Sequence, residues 1–355
     1  MEYRYFPVLR ARQQEIDVLQ KFDFGDRMVP LIEIIKEKDR KDNQRSSFQI
    51  YSDIIANIKA EKVLVDLPIY LAPKVSTSSE VRTFFLSTIS RLEARIAFYT
   101  QFSAMTEKLI PVISILEPIS EEIDTLIRQF EGLSDIFPQL AFRIYNERFD
   151  MAFEQLQQLQ LREDDIIIYD LEKTSITNPI VKKHRKYLRD IFEENFQVVI
   201  RSAINTDIQN VDLEHEQVIS LADNSLMELF SLPQYGFDAF GDYAGVKRDD
   251  LNAGGGISPG MVFYNPDDNL YYGYRGPTKN LSEFETTIIP AVLNSGYVQH
   301  WVNTGSEYVN ENPGYDRLVR ISQNEEPAKN QAKYKWISIM HYLHSIKTLI
   351  DQGNI

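Results

Sequence analysis

The sequence predicts an α/β protein: a TIM-like (β/α)8 barrel followed by a C-terminal β-hairpin and a helical extension. Three observations predict it. Eight short apolar runs recur along the chain, longer amphipathic segments separate them, and every run closes on a charged residue. Runs that are apolar throughout suit strands buried on both faces, as in a parallel sheet covered by helices. Eight such units suit a closed barrel; a doubly wound open sheet is the alternative.

The runs are YFPVLR (5–10), MVPLIE (28–33), KVLVD (62–66), LIPVISILE (109–117), LAFR (140–143), DIIIYD (165–170), FQVVIR (196–201) and FDAFGD (237–242). Helix starts are legible between them. Thr77 with Glu80 three residues on forms a capping box, Ser120 precedes Glu121 and Glu122, and Asp150 opens MAFEQLQQL. The barrel is thus expected over 1–250, with 251–355 as a glycine-rich loop, hairpin and helical extension packed on it.

Composition bounds what such a chain does. With 355 residues, 43% of them hydrophobic and 25% charged, it can bury a large core. A net charge of -14 makes extended, non-specific nucleic-acid binding unfavourable, because no excess of Lys and Arg is present to displace phosphate counterions. The absence of cysteine excludes disulfides, thiol nucleophiles and cysteine-held metals, and fits a reducing compartment. No apolar stretch reaches membrane-spanning length, and MEYRYFPVLR lacks the apolar core of a signal peptide. The expectation is a cytoplasmic protein with no membrane partner.

Aligned by their ends, the eight runs terminate in Arg10, Glu33, Asp66, Glu117, Arg143, Asp170, Arg201 and Asp242. In a parallel barrel the strand C-termini form the face that carries active sites. Three guanidinium groups and five carboxylates crowded there must pair with one another, or with a ligand or metal, since an unpaired buried charge is costly. Glu33, Asp66, Glu117, Asp170 and Asp242 are the candidate catalytic acids, with Glu172 beside them. They could work as general acid and base, or hold Mg²⁺ or Mn²⁺ through oxygen ligands. Arg10, Arg143 and Arg201 favour an anionic ligand, because a guanidinium fork matches phosphate or carboxylate. A self-satisfied network that ties the barrel top together is the alternative role for the ring.

Two later segments add candidates. In GVKRDDLNAGGG, Lys247 and Arg248 precede Gly254 and Gly255, in the region after the eighth strand where barrels often bind phosphate; a flexible surface turn would use the same glycines. MVFYNPDDNLYYGYRG reads as two aromatic strands joined by a turn. Its Tyr272, with Tyr271, Tyr274 and Arg275, could stack on a base, or pack the hairpin onto the domain. A helix from Leu281, an irregular stretch from Trp301 to Pro313 and a last amphipathic helix complete the chain. No histidine ends a run, which argues against a Ser-His-Asp triad or a His-rich zinc site. The basic run KKHRK reads as a solvated helix face, with nucleic-acid contact as the alternative.

The opening YFPVLRARQQEIDVL, the VPLIEI that follows it and the later FGDYAG resemble the "protein beta" family, named after a bacteriophage beta protein. The resemblance runs from Tyr5 through the GYRG of Gly273 to Gly276 and on to the segment from Trp336 to His344; where this chain has Arg10, a lysine is common in the family. The resemblance implies a phage-associated setting, with a role in phage biology or antiphage defence and with another phage or host protein as partner. It implies no reaction. The expected function is therefore binding of an anionic small molecule, phosphorylated or a nucleotide, at the charged face, with metal- or carboxylate-assisted phosphodiester hydrolysis as the chemistry open to it. The alternative is a non-catalytic sensor or protein-interaction module.

Overall fold

The computed structural model describes residues 2–38, 45–70, 74, 77–116, 122–219, 223–248, 258–327 and 329–355. All eight apolar runs contain barrel strands: β1 (Tyr5–Arg10), β2 (Leu31–Glu33), β3 (Val63–Asp66), β4 (Leu109–Ile113), β5 (Ala141–Tyr145), β6 (Ile166–Asp170), β7 (Phe196–Ile200) and β8 (Ala239–Asp242). Each pairs in parallel with its neighbours, and β1 pairs with both β2 and β8, so the sheet closes. The chain is a (β/α)8 barrel, not an open sheet.

Register fixes how the barrel is staggered. Arg10 is level with Glu33, Asp66, Val112, Ala141, Ile166 and Phe196 in turn. Continuing through β8 brings that level back to β1 at residue 2, eight residues below Arg10, the shear expected of this fold. Inside, Phe6, Val8, Leu31, Leu64, Ile168 and Val198 belong to one closed apolar cluster, separate from the layer under the helices. Side chains alternate along a strand, so these positions determine which later residues also point inward. Gly241 is one of them. A Cβ there would lie 2.5 Å from the Phe6 carbonyl oxygen and 2.9 Å from Ile200 Cγ1, so β8 can lie against β1 only without a side chain.

Local starts differ in part from expectation. The helix expected to be capped by Thr77 begins at Ser79 after Ser78, and the Thr77 hydroxyl accepts the Lys74 N–H instead. A complete capping box occurs at Ser46 with Gln49. Ser120 and Glu121 lie outside the described residues, and the helix after β4 starts at Thr125. Trp301, expected in an irregular stretch, is buried within the helix Gly296–Thr304, and a further helix spans Pro313–Ser322. The expected boundary at 250 falls outside the described residues.

The hairpin forms as expected: β9 (Gly260–Asn265) pairs antiparallel with β10 (Leu270–Arg275). Against it lies the C-terminal helix Gln331–Asp351, most of whose residues are buried. Gly314 lets the preceding helix approach closely, since a Cβ there would meet the Ile337 oxygen and the His341 nitrogen at 2.6 Å. His341 is fully buried between β9 and the Asn312 side chain. Its Nε2 lies 2.9 Å from the Tyr264 carbonyl and its Nδ1 2.8 Å from Asn312 Nδ2. Those partners require Nε2–H to donate and Nδ1 to accept, so the ring is neutral; burial pushes its pKa down to about 3.

Asp242 secures this helix to the barrel seam. Its carboxylate accepts hydrogen bonds from Tyr5 on β1 at 2.5 Å, from Tyr342 on the C-terminal helix, and from the Ala244 N–H at 2.9 Å. Burial pushes the Asp242 carboxyl up, and the two hydroxyls partly oppose that. Replacing it with leucine should leave two buried hydroxyls without an acceptor. The expected outcome for Asp242→Leu is a loss of about 2–5 kcal/mol in urea unfolding. An unchanged midpoint would show that the helix is held by apolar packing alone.

Candidate functional site

The alternation that lines the barrel decides which strand-end charges meet. Val8, Leu31, Leu64, Ala141 and Ile168 are inward, so Arg10, Glu33, Asp66, Arg143 and Asp170, each two residues on, face the mouth. All five are at most 2% exposed. Ile200 and Ala239 are also inward, which turns Arg201 and Asp242 outward. Their expected place in the ring is corrected accordingly: Asp242 holds the C-terminal helix, and Arg201 bonds the Thr174 and Asp223 carbonyls and pairs with the Asp223 carboxylate at 3.0 Å. Glu117 lies outside the described residues. At β8 the inward position belongs to Tyr243, which completes the mouth.

Arg143 is the centre. Its Nη1 donates to Glu33 Oε1 at 2.8 Å and Asp66 Oδ2 at 2.6 Å. Its Nη2 donates to Asp170 Oδ2 at 2.6 Å and the Tyr243 hydroxyl at 3.0 Å, and its Nε donates to Asp170 Oδ2 at 3.1 Å. These bonds use all the N–H groups of a guanidinium. The far oxygen of Glu33 accepts from Tyr70 at 2.6 Å and from Arg10 Nε at 3.3 Å, and Tyr243 donates to Tyr70 at 3.3 Å. Arg143, Tyr243, Tyr70 and Glu33 thus form a closed circuit of hydrogen bonds.

A lid lies over this circuit. The Arg248 guanidinium stacks 3.6 Å from the centre of the Tyr70 ring, with Nη2 3.8 Å from Glu172. Lys247, expected to act with it on an anion, turns away and donates to the Ile208 carbonyl at 2.6 Å. Gly254 and Gly255 lie outside the described residues. Tyr272 sits against Tyr297, ring centres 4.9 Å apart, on the hairpin and away from the mouth cluster.

Two of the strand-end aspartates also have a local task. Asp170 Oδ1 accepts the Glu172 N–H at 2.8 Å, as Asp242 does for Ala244, and both donating residues have positive φ, 57° and 51°. A short carboxylate that captures the amide two residues on stabilises such a turn. This is a backbone reason for an acid at a strand end, independent of any ligand.

The electrostatics follow from burial. Asp66 is pushed up to about 6, chiefly by desolvation and further by Glu33, while Arg143 opposes the shift. Below about pH 6 Asp66 carries its proton, which leaves the two cations Arg10 and Arg143 opposite Glu33 and Asp170. Burial, then Glu33, pushes Tyr70 up to about 12, so its hydroxyl keeps its proton and donates it. Among the described residues no group of three or more His, Asp or Glu side chains could hold a metal ion; a guanidinium occupies the centre of the carboxylates instead. Three buried atoms on successive strands keep unused hydrogen-bonding capacity: Asp66 Oδ1, Ser114 Oγ and Tyr145 Oη.

Sequence reasoning missed the tyrosines. Tyr243 could have been found by counting in twos from Ala239. Tyr70 stands four residues beyond Asp66 in a loop, where no periodicity applies.

The family model described as "Beta protein" matches residues 5–347, nearly the whole chain. The chain belongs to the Beta protein family. No curated protein matches it. Among solved structures, this Beta protein family member is similar to a thermostable mutant of a xylanase (Xyn10A) from Cellvibrio japonicus, at 10% identity over 68% of this chain and 87% of that one, with TM-score 0.37. It is likewise similar to the catalytic core of xylanase A, at 9% identity over the same shares, with TM-score 0.38. Neither likeness carries an argument here; the fold rests on the strand pairing. No described helix is long and apolar enough to cross a membrane.

Two measurements check the cluster. Arg143→Met would leave Glu33, Asp66 and Asp170 buried around an apolar side chain, and a loss of about 3–5 kcal/mol in unfolding free energy is expected. Asp66→Asn tests the titration. Because the folded pKa of Asp66 lies above its unfolded value of 3.8, its stabilising contribution is full below that value and disappears as pH rises through about 6. His341 acts in the opposite sense, its contribution being lost as pH falls from 6.5 toward about 3, so the comparison must be variant against parent. Asp66→Asn, which keeps an oxygen for Arg143, should gain about 1–2 kcal/mol relative to the parent between pH 5 and pH 8 in urea titrations. A pH-independent difference would mean that Asp66 titrates as in solvent.

Proposed function

We propose that this Beta protein family member is a non-catalytic binding module whose charged mouth is a structural clasp, and that it acts on a phage or host protein in the phage-associated setting its family resemblance implies. The observation that carries this reading is the saturation of Arg143. A guanidinium with every N–H engaged by Glu33, Asp66, Asp170 and Tyr243 has no donor left for a phosphate. Admitting one would also require lifting Arg248 off Tyr70 and separating buried ion pairs. Two of the three carboxylates are equally occupied: Asp170 serves Arg143 and the Glu172 amide, and Glu33 serves Arg143, Arg10 and Tyr70.

A second reading attaches to Asp66 Oδ1, Ser114 Oγ and Tyr145 Oη. A small neutral molecule rich in hydroxyl groups has the chemistry that these atoms would accept. That would make the module a sensor.

Calorimetry and a hydrolysis panel test the reading together. The parent should show neither saturable binding of nucleoside di- and triphosphates or cyclic nucleotides nor their turnover with Mg²⁺ or Mn²⁺. Turnover that disappears in Asp170→Asn while the fold is kept would overturn it in favour of a metal-assisted hydrolase.

A further inference from the structure

The seam between the barrel and its C-terminal extension holds a cavity that the mouth does not use. Its volume is about 160 Å³ and it is half open to solvent. Four stretches wall it: the loop after β7, the residues after β8, the start of β9 and the first turns of the helix Gln331–Asp351. Ile204, Ile208, Leu213, Val246, Met261 and Tyr334 give it a mainly apolar lining. Polar side chains on the wall are tied to backbone carbonyls: Asn210 to Ser258 at 2.9 Å, Gln331 to Gly260 at 2.9 Å and Ser338 to Val262 at 2.7 Å. These bonds hold the walls in place whether or not anything is bound.

Two lysines line the cavity, and they differ. Lys335 is spent on an ion pair, 3.1 Å long, with Glu15, a residue outside the lining. Lys247 donates to the carbonyl of Ile208, itself a wall residue, at 2.6 Å, which puts its ammonium at the wall of the cavity. An ammonium has three N–H groups, and this one has no acid partner among the described residues. Among those residues no acid lines the cavity either; Asp212 and Glu214 on the loop after β7 are exposed, and Asp212 accepts the Gln209 N–H at 2.8 Å. We propose that this cavity binds a small aromatic monocarboxylate, its ring against the apolar lining and its carboxylate on Lys247. Volume sets the size, since an apolar cavity of about 150 Å³ holds a single benzene ring. Charge sets the head group: a carboxylate supplies the counter-ion that Lys247 lacks, whereas a cationic group would meet an ammonium with no acid to balance it. Because the walls belong both to the barrel and to the extension, an occupant ties the two together and stabilises the folded chain.

The test is ligand-observed NMR titration of the full chain with three probes of one shape: benzoate, neutral benzyl alcohol and cationic benzylammonium. Benzoate should bind saturably with a Kd of about 1 mM or tighter and raise the melting temperature. Benzyl alcohol should bind about tenfold or more weakly than benzoate, and benzylammonium not at all. Lys247→Met, which keeps the aliphatic stem, should weaken benzoate about tenfold, and Lys247→Arg, which keeps the charge, should restore most of that loss. Val246→Phe, which fills the cavity with an apolar ring, should abolish binding of benzoate and benzyl alcohol alike. Melting temperatures of the unliganded variants check folding, and the two Lys247 variants decide the matter alone if Val246→Phe does not fold. Failure of benzoate to saturate, equal binding of benzyl alcohol or benzylammonium, or full affinity in Lys247→Met would overturn the proposal. So would full affinity in a folded Val246→Phe. The cavity shares no residue with the mouth, so nucleotide turnover lost in Asp170→Asn would refute the module reading separately, whichever way the benzoate result falls.

Discussion

The saturated guanidinium of Arg143 is the constraint to which the rest of the mouth conforms. A buried cation requires compensating charge and a partner for every N–H. Here the partners come from β2, β3, β6 and the residue after β8, so one side chain on β5 ties strands on opposite sides of the barrel. Once Arg143 has taken one oxygen of Glu33, the other must be satisfied too, and Tyr70 and Arg10 do this. Tyr70 then presents an aromatic face upward, where Arg248 stacks. Each step follows from the cost of leaving a buried polar group unmatched, and burial pushes Asp66, the carboxylate with an oxygen left over, upward in pKa.

The acids at the strand ends therefore serve different purposes under one sequence pattern. Glu33 and Asp66 are counter-ions. Asp170 is both a counter-ion and a turn former, and Asp242 forms the same turn while gripping Tyr5 and Tyr342 on the outside. What distinguishes inside from outside is parity, because successive side chains of a strand point to opposite faces.

That parity marks how far the sequence was legible. The eight strands could be read because buried parallel strands must be apolar on both faces, and nothing else in the chain has that pattern so often. Aligning runs by their last charged residue, however, ignores direction, and it put Arg201 and Asp242 in the wrong layer. Counting in twos from Val198 and Ala239 would have excluded both and found Tyr243. Tyr70 and the Arg248 stack were beyond reach, since loops without period carry no positional signal. At Thr77 the local propensity was real but was used one turn away, for the Lys74 amide. The helices at Gly296–Thr304 and Pro313–Ser322 were obscured by glycine, asparagine and proline, which act as caps and close contacts around the C-terminal helix.

The charges of the mouth are matched almost entirely from within the chain. In this fold, loops at the strand C-termini usually carry the chemistry because they leave side chains free to react. Here those side chains hold one another, and the stabilisation they provide is lost if a ligand intrudes. What the cluster leaves unmatched is small and lies within it: Asp66 Oδ1, Ser114 Oγ and Tyr145 Oη. Desolvation is otherwise met there by folding itself, because the strands bring each buried charge to its partner.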